Sequence, residues 1–171
     1  IEPVDSYPIP THPVTELITG PRNATFDIKN ATAYSGNVRL NLTSQAVIGV
    51  GAFKTTQSAR LTLSPLAPSG IGSQHNHNVV LKRPYINTTN FASPEPPYAH
   101  YSITKELEKV FHKMNVLYWA KALLKLMYNF IDSSIADAGA SPPFDIPHLH
   151  FVEASLMLAC SERQNAPKGP R

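Results

Sequence analysis

The strongest constraint in this sequence is a helical pattern in residues 103–131. Its apolar positions are Ile103, Leu107, Val110, Phe111, Met114 and Leu117 and then, after a small phase shift near Asn115, Leu123, Leu124, Met127, Phe130 and Ile131. A spacing of three or four residues places these side chains on one face of an α-helix. Ser102 is a suitable N-cap, and residues 140–143 end the pattern. The phase shift predicts either a bend or two abutting helices.

Shorter segments on both sides of this helix have the patterns of β-strands. They are residues 38–42, 46–51, 59–66, 78–85 and 148–159. The first and third alternate, the second ends on glycines, and the fourth is a compact strand closed by Pro84, whereas the last is apolar on both faces, as in a central strand. Loops rich in Pro, Gly, Ser and Asn at 64–78 and 86–99 separate them. The order predicts an α+β fold, a curved antiparallel sheet with a long helix packed on it.

The chain divides into three parts by composition. Residues 1–34 contain many prolines and no periodic apolar pattern, so they are predicted to be a weakly ordered leader, with one short strand at most in 24–34. Residues 35–160 form the single predicted lobe. Residues 161–171 form a polar, Pro-containing tail.

Composition excludes several classes of protein. Lys plus Arg is 15 against 12 for Asp plus Glu, and these charges are scattered, so nucleic-acid binding is not expected. No apolar run reaches about 18 residues, so no membrane-spanning helix is expected. The single cysteine, Cys160, cannot form an internal disulfide and is predicted to be a buried, inert thiol. An intracellular, cytoplasmic location fits best.

One arrangement of glycines and lysines points to phosphate chemistry. Gly49 and Gly51 lie between two predicted strands, Lys54 follows them, and Lys82 lies on the next strand. A glycine turn allows backbone amides to approach a triphosphate without a Cβ in the way. A strand lysine can then reach the phosphates as a point charge. Glycines in hairpin turns and solvated strand lysines are also common, so the motif alone leaves this interpretation open.

The order of four stretches resembles the N-terminal lobe of the alpha-type protein kinases, especially the fungal ones. The stretches are IGVGAFKT, VVLKRPY, NVLYWAKALLKLMYNFIDSSIADA and IPHLHFVEASLMLA, and the resemblance covers about residues 46–160. It implies a serine/threonine kinase that binds ATP with Mg²⁺. Lys82 would bind the ATP phosphates, Gly49 and Gly51 would shape the loop over them, and Lys54 would add a further contact. Glu106 and Glu108 are the candidates to pair with Lys82, unless they only form local ion pairs with Lys105 or Lys109.

The chain departs from the kinase pattern in its catalytic parts. It contains no His-Arg-Asp, no Asp-Phe-Gly, and no counterpart of the family's Asp-x-Gln-Gly segment or zinc-binding His and Cys residues. No catalytic residue is therefore assigned. We expect the chain to be truncated before the catalytic lobe and to be inactive in phosphoryl transfer alone, with the C-terminal lobe and an unidentified protein substrate as partners.

Two alternative functions belong to other classes. His75 with His77 and His148 with His150, near Glu153, form His-x-His units that could chelate a metal if they lie on strands, although no metal site is assigned. Asn-x-Thr sequons begin at Asn23, Asn30, Asn41 and Asn87, which would fit a secreted or capsid-like β-rich interaction protein carrying N-glycans.

Overall fold

The computed structural model describes residues 1–20, 24–40, 47–87 and 98–159. Within these ranges the elements are β1 (Glu2–Pro8), α1 (Val14–Thr19), β2 (Tyr34–Leu40), β3 (Val47–Val50), β4 (Lys54–Leu63), β5 (His77–Asn87), β6 (Tyr98–His100), α2 (Ile103–Ala138) and β7 (Ser155–Ala159). The predicted α+β class is confirmed, since the strands form a curled antiparallel half-barrel and α2 is one long helix.

The strands follow the order β6-β5-β4-β2-β1-β7 across the sheet, and every pairing is antiparallel. Strand β4 pairs with three other strands. Its first half pairs with β3, from Thr55 to Gln57, and its second half pairs with β2, from Ala59 to Leu63. On its other side, β4 pairs with β5 over almost its whole length. Strand β4 therefore connects the glycine-containing hairpin to the rest of the sheet.

The N-terminal segment differs from the predicted weakly ordered leader. Strand β1 pairs with β2 on one side and with β7 on the other, and Val4 is 3% exposed. In α1, Leu17 is 1% exposed and belongs to the main apolar core. The prolines gave a misleading signal because a proline costs a strand only the hydrogen bond of its own N–H. Residues 24–33 form turns, and the next strand begins at Tyr34.

Two apolar clusters cover the two faces of the curled sheet. One contains Val38, Leu61 and Leu63, and it is closed by Ala67 of the loop that follows β4. The other is formed by residues of α1, α2, β7 and the segments near them: Ile9, Val14, Leu17, Phe26, Met114, Tyr118, Ala122 and Leu156. Burial of apolar surface on both faces provides the main stabilisation of such a layered fold.

Helix α2 is continuous through the predicted phase shift. The side chain of Asn115 explains the shift, because its Oδ1 accepts a hydrogen bond from the Phe26 backbone N–H at 2.7 Å and its Nδ2 donates to the Phe111 carbonyl at 3.0 Å. Ser102 occupies the N-cap position without a side-chain capping bond, and Gly139 ends the helix with a φ of 63°. The predicted apolar face is only partly covered: Met114 and Tyr118 are buried, whereas Phe130 is 71% exposed.

The last strand is shorter than predicted. The pattern indicated residues 148–159, but β7 comprises only Ser155–Ala159. Its partner β1 sets this limit, since the ladder ends with Pro8 opposite Ser155 and one further bond from the Ile9 N–H to the Ala154 carbonyl at 3.1 Å. Pro10 follows and has no N–H to donate. The two histidines of the segment therefore lie outside the strand.

Candidate functional site

The predicted glycine hairpin is present between β3 and β4. Its tip is closed by a hydrogen bond from the Gly51 N–H to the Lys54 carbonyl at 2.9 Å. The Tyr85 hydroxyl of β5 donates to the Gly51 carbonyl at 2.5 Å, and the Tyr85 N–H donates to the Phe53 carbonyl at 3.3 Å. The hairpin tip is therefore fixed to the neighbouring strand by two bonds that periodicity did not predict.

Neither glycine of the hairpin is required by close packing or by a left-handed φ. Gly49 and Gly51 do not have φ in the left-handed region. A Cβ added to Gly49 would meet no atom within 4 Å, and one added to Gly51 would meet the Lys54 carbonyl oxygen at an ordinary 3.6 Å. The missing side chains leave open space above the hairpin. The N–H of Gly51 is already used within the hairpin, so Gly51 contributes shape there rather than a donor.

The two predicted lysines lie on the same face of the sheet. Lys54 is opposite Pro84, and Lys82 is opposite Thr56, so Lys54 and Lys82 are diagonal neighbours on adjacent antiparallel strands. Diagonal neighbours in such a ladder have backbones roughly 7–8 Å apart. Lys82 is exposed, whereas Lys54 is half-buried at the first position of β4. The structure thus brings the glycine hairpin and both lysines together.

A third lysine, Lys113 of α2, adds to this positive region. The pKa of Lys54 is lowered, first because burial disfavours its charged form and then because of the positive charges of Lys113 and Lys82. Sequence analysis missed Lys113 because it lies on the exposed face of an amphipathic helix, where lysines are ordinary. Lys113 is recognised as part of the positive region only because α2 packs beside the start of β4, where Lys54 lies.

The ion pair between sheet and helix involves Arg83, the neighbour of the predicted lysine. Its Nε and Nη2 donate to the two carboxylate oxygens of Glu106, each at 2.8 Å. This bidentate hydrogen bonding raises the pKa of Arg83 despite partial burial. Glu106 is therefore the helix acid that contacts β5, and its partner is Arg83 rather than Lys82. Glu108 lines a cleft nearby.

A cleft of about 440 Å³ lies between the end of the β4–β5 ladder and the N-terminal half of α2. It is lined by Phe53, Lys54, Pro84, Tyr85, Tyr101, Glu108, Lys109, Val110, His112 and Lys113. We call it the β4–α2 cleft. Its lining is aromatic and mostly positive, with three lysines and one carboxylate. Lys82 is outside this lining.

The histidines of the two His-x-His units have contacts of other kinds. His77 Nδ1 accepts a hydrogen bond from the Gly72 N–H at 3.2 Å, and His148 stacks on Tyr128 with ring centroids 4.9 Å apart. Across the described ranges, no group of three or more His, Cys, Asp or Glu residues is arranged to hold a metal ion. The metal-binding alternative therefore gains no support from this part of the chain.

The predicted glycosylation sequons are divided between described and undescribed segments. Asn30 and Asn87 are exposed, and the Nδ2 of Asn30 donates to Asp27 Oδ2 at 2.9 Å. Asn23, Asn41 and Cys160 lie outside the described residues. Exposure is compatible with glycosylation, but it does not distinguish these asparagines from ordinary surface residues.

No helix in the described part of the chain is both long and apolar enough to cross a membrane. Comparisons of this chain with protein-family models, with curated proteins and with solved structures give no match.

Proposed function

We propose that the chain is the ATP-binding lobe of an alpha-type serine/threonine protein kinase, with the nucleotide phosphates bound beside the β3–β4 hairpin. The observation that carries this proposal is the shared location of Gly49, Gly51, Lys54 and Lys82 at one end of one sheet face. A glycine hairpin next to a strand lysine is the arrangement by which kinase N-terminal lobes hold a triphosphate.

Electrostatics support an anionic ligand at this position. The pKa of Lys54 is lowered first by burial and then by the positive charges of Lys113 and Lys82, which repel its own. A triphosphate would offset this repulsion and would accept charge-assisted hydrogen bonds from the ammonium groups. Lys82 is the principal phosphate ligand in this proposal, and Lys54 is the secondary one.

The glycines support the approach of the phosphates. Because a Cβ at Gly49 would touch nothing, close packing gives no reason for a glycine there, although the pairing of β3 with β4 shifts register at this residue. A bound phosphate group would explain the glycine, because the phosphate would occupy the open space above β3 that a side chain would otherwise fill.

The Arg83–Glu106 pair supports the packing of α2 against the nucleotide strand. In protein kinases the phosphate-binding lysine itself pairs with a glutamate of this helix. In this chain Glu106 pairs with Arg83 instead, so the pair departs from the kinase pattern while it joins α2 to the strand. Here the pair begins one residue after Lys82 on the same strand. We assign Arg83 and Glu106 a positioning role, and no direct contact with the nucleotide.

Mg²⁺ would arrive with the nucleotide in this proposal. Mg²⁺ retains several waters and is commonly bound by substrate phosphates and one or two carboxylates. Phosphoryl transfer also needs an aligned nucleophile and charge stabilisation on the side of the transferred group. We assign no residue of this chain to those steps, and propose that a second lobe supplies them and that the site uses intracellular ATP.

Isothermal titration calorimetry of the chain with Mg-ATP tests the proposal. We expect saturable binding of the wild type, and a loss of about tenfold or more in affinity for Lys82→Ala, because one charge-assisted hydrogen bond is worth about 1.5–3 kcal/mol. Arg60→Ala is the matched control, since Arg60 is an exposed cation on the same face of β4 but farther from the hairpin. Absence of binding by the wild type, or equal affinities of Lys82→Ala and wild type, would overturn the proposal.

A further inference from the structure

The β4–α2 cleft contains positive charge that neighbouring acids do not neutralise. Lys54 and Lys113 line it from the sheet and from the helix, respectively. The salt bridges found among the described residues are His12–Glu16 and Arg83–Glu106, so neither lysine belongs to one. Glu106 is engaged by Arg83, which leaves Glu108 as the only carboxylate in the cleft lining.

Lys109, the third lysine of the cleft, contacts an aromatic ring. Lys109 Nζ lies 4.7 Å from the centroid of the Tyr101 ring, a cation–π geometry. This contact pairs Lys109 with an aromatic ring that also lines the cleft. Lys54 and Lys113 are then the two ammonium groups left to bind an external anion.

The remaining lining is aromatic and apolar. Tyr85, Tyr101 and Pro84 contribute to it, and Phe53 at the hairpin tip is 78% exposed. A phenylalanine with this exposure on a short hairpin loses little by being covered and gains by contacting an apolar group. The volume of about 440 Å³ is within the usual range of ligand sites, and it exceeds what a bare phosphate needs.

We propose that the β4–α2 cleft is a second ligand site, which binds an organic phosphate with the phosphate between Lys54 and Lys113 and an attached apolar group against Phe53 and the tyrosines. The cleft shares Lys54 with the proposed nucleotide site, but it is a different site because Lys82, the principal nucleotide ligand, does not line it. Occupation would link β4 to α2 and so reinforce the connection made by Arg83 and Glu106.

Titration with phenyl phosphate, followed by calorimetry and by the thermal unfolding temperature, tests this site. We expect binding in the millimolar range or tighter and a rise in unfolding temperature, since the ligand binds only the folded state. Lys113→Gln should weaken binding about tenfold. Lys125→Gln, an exposed lysine farther along α2, should leave it unchanged. Glu108→Gln should strengthen it, because the opposing negative charge is removed.

Further comparisons separate this site from the nucleotide site. Lys82→Ala should retain phenyl phosphate binding even if it loses Mg-ATP binding, whereas Lys113→Gln should weaken phenyl phosphate binding more than it weakens Mg-ATP binding. A phosphothreonyl-phenylalanine peptide and AMP are the probes for the two sources of an organic phosphate, and the tighter one identifies the source. No binding of any of these probes, equal effects of Lys113→Gln and Lys125→Gln, or loss of phenyl phosphate binding in Lys82→Ala would overturn the proposal.

Discussion

The two ends of β4 differ in how closely their side chains and the nearby glycines are packed. At its C-terminal end, Leu61 and Leu63 are almost completely buried, and Gly36 and Gly72 fit closely against Leu63. At its N-terminal end, Phe53 is exposed, Lys54 is repelled by other lysines, and the nearby glycines meet no steric restriction. One end is shaped by the requirements of the fold, whereas the other contains features that burial does not explain.

The glycines make this difference measurable. A Cβ on Gly36 would overlap the carbonyl oxygen of Thr62 and lie 2.8 Å from the Leu63 Cα, which are backbone atoms of the adjacent strand. A Cβ on Gly51 would lie in ordinary contact. The loss of stability caused by Gly→Ala should therefore separate Gly36, where close packing requires a glycine, from Gly51, where it does not.

Gly36→Ala should have the largest effect. Strands β2 and β4 would have to separate around the new methyl group, and overpacking against backbone costs about 3 kcal/mol or more. For a chain of this length, the unfolding temperature should fall by about 6–12 °C. Circular dichroism melting provides the measurement, with Gly49→Ala as the control. A fall of no more than that of the control would contradict the assignment of Gly36 to close strand packing.

Gly72→Ala should have the next largest effect. Its φ of 88° is rarely adopted by residues with a side chain, and the added Cβ would press on the Leu63 side chain. The backbone strain alone costs about 1–3 kcal/mol. The unfolding temperature should therefore fall, by less than in Gly36→Ala because a side chain can move more easily than a strand. A neutral result in chemical denaturation would show that the loop after β4 can relax.

Lys54→Met should stabilise the other end of β4. The folded state lowers the pKa of Lys54 below the ordinary 10.5, so the unfolded state binds this proton more tightly. Its contribution to stability is therefore greatest above the unfolded pKa and is lost as pH falls through the folded pKa. At pH 7, Lys54→Met should melt at a higher temperature than the wild type, and this advantage should shrink as the pH approaches 10.5. Lys125→Met is the control, and an advantage that grows with pH would refute the explanation.

Gly51→Ala should have the smallest effect on stability and a larger one on binding. Its Cβ has room, and alanine reduces the freedom of the unfolded chain, so the unfolding temperature should stay the same or rise slightly. The affinity for Mg-ATP should nevertheless fall several-fold, because the methyl group enters the space proposed for the phosphates. Unchanged calorimetric affinity would remove Gly51 from the proposed site.

Local patterns predicted the sheet and the long helix, because alternation of apolar and polar residues indicates a strand and an apolar spacing of three or four residues indicates a helix. The hairpin was predicted from its glycines. Local patterns failed for residues 1–34 because a strand in the interior of a sheet is defined by distant partners. Strand β1 pairs with β7, and Leu17 is buried among residues of α2 and β7. Neither the pairing of β1 with β7 nor the burial of Leu17 can be recognised from the local order of apolar and polar residues. The exposure of Phe130 has a related cause, since an apolar stripe indicates one face of a helix but does not show what covers that face.

The candidate site was only partly predictable. Gly49, Gly51, Lys54 and Lys82 were selected as a glycine turn followed by strand lysines, to which the resemblance of ordered motifs then gave roles, and the structure places them close together. Lys113, Tyr85 and the Arg83–Glu106 pair required the packing of α2 beside β5. A lysine on a polar helical face and an arginine after a lysine are common in sequences, so their significance depends on three-dimensional position.

The pairing of β1 with β7 has a consequence for how the chain is made. Ser6 and Ser155, whose Oγ atoms lie 2.7 Å apart, are separated by 149 positions along the chain. At synthesis rates of about 5–20 residues per second, roughly 7–30 s pass on the ribosome between the emergence of the two. During this interval one edge of β1 has no strand beside it, and such an edge invites pairing with other chains. The nascent protein is therefore expected to depend on chaperones until β7 emerges.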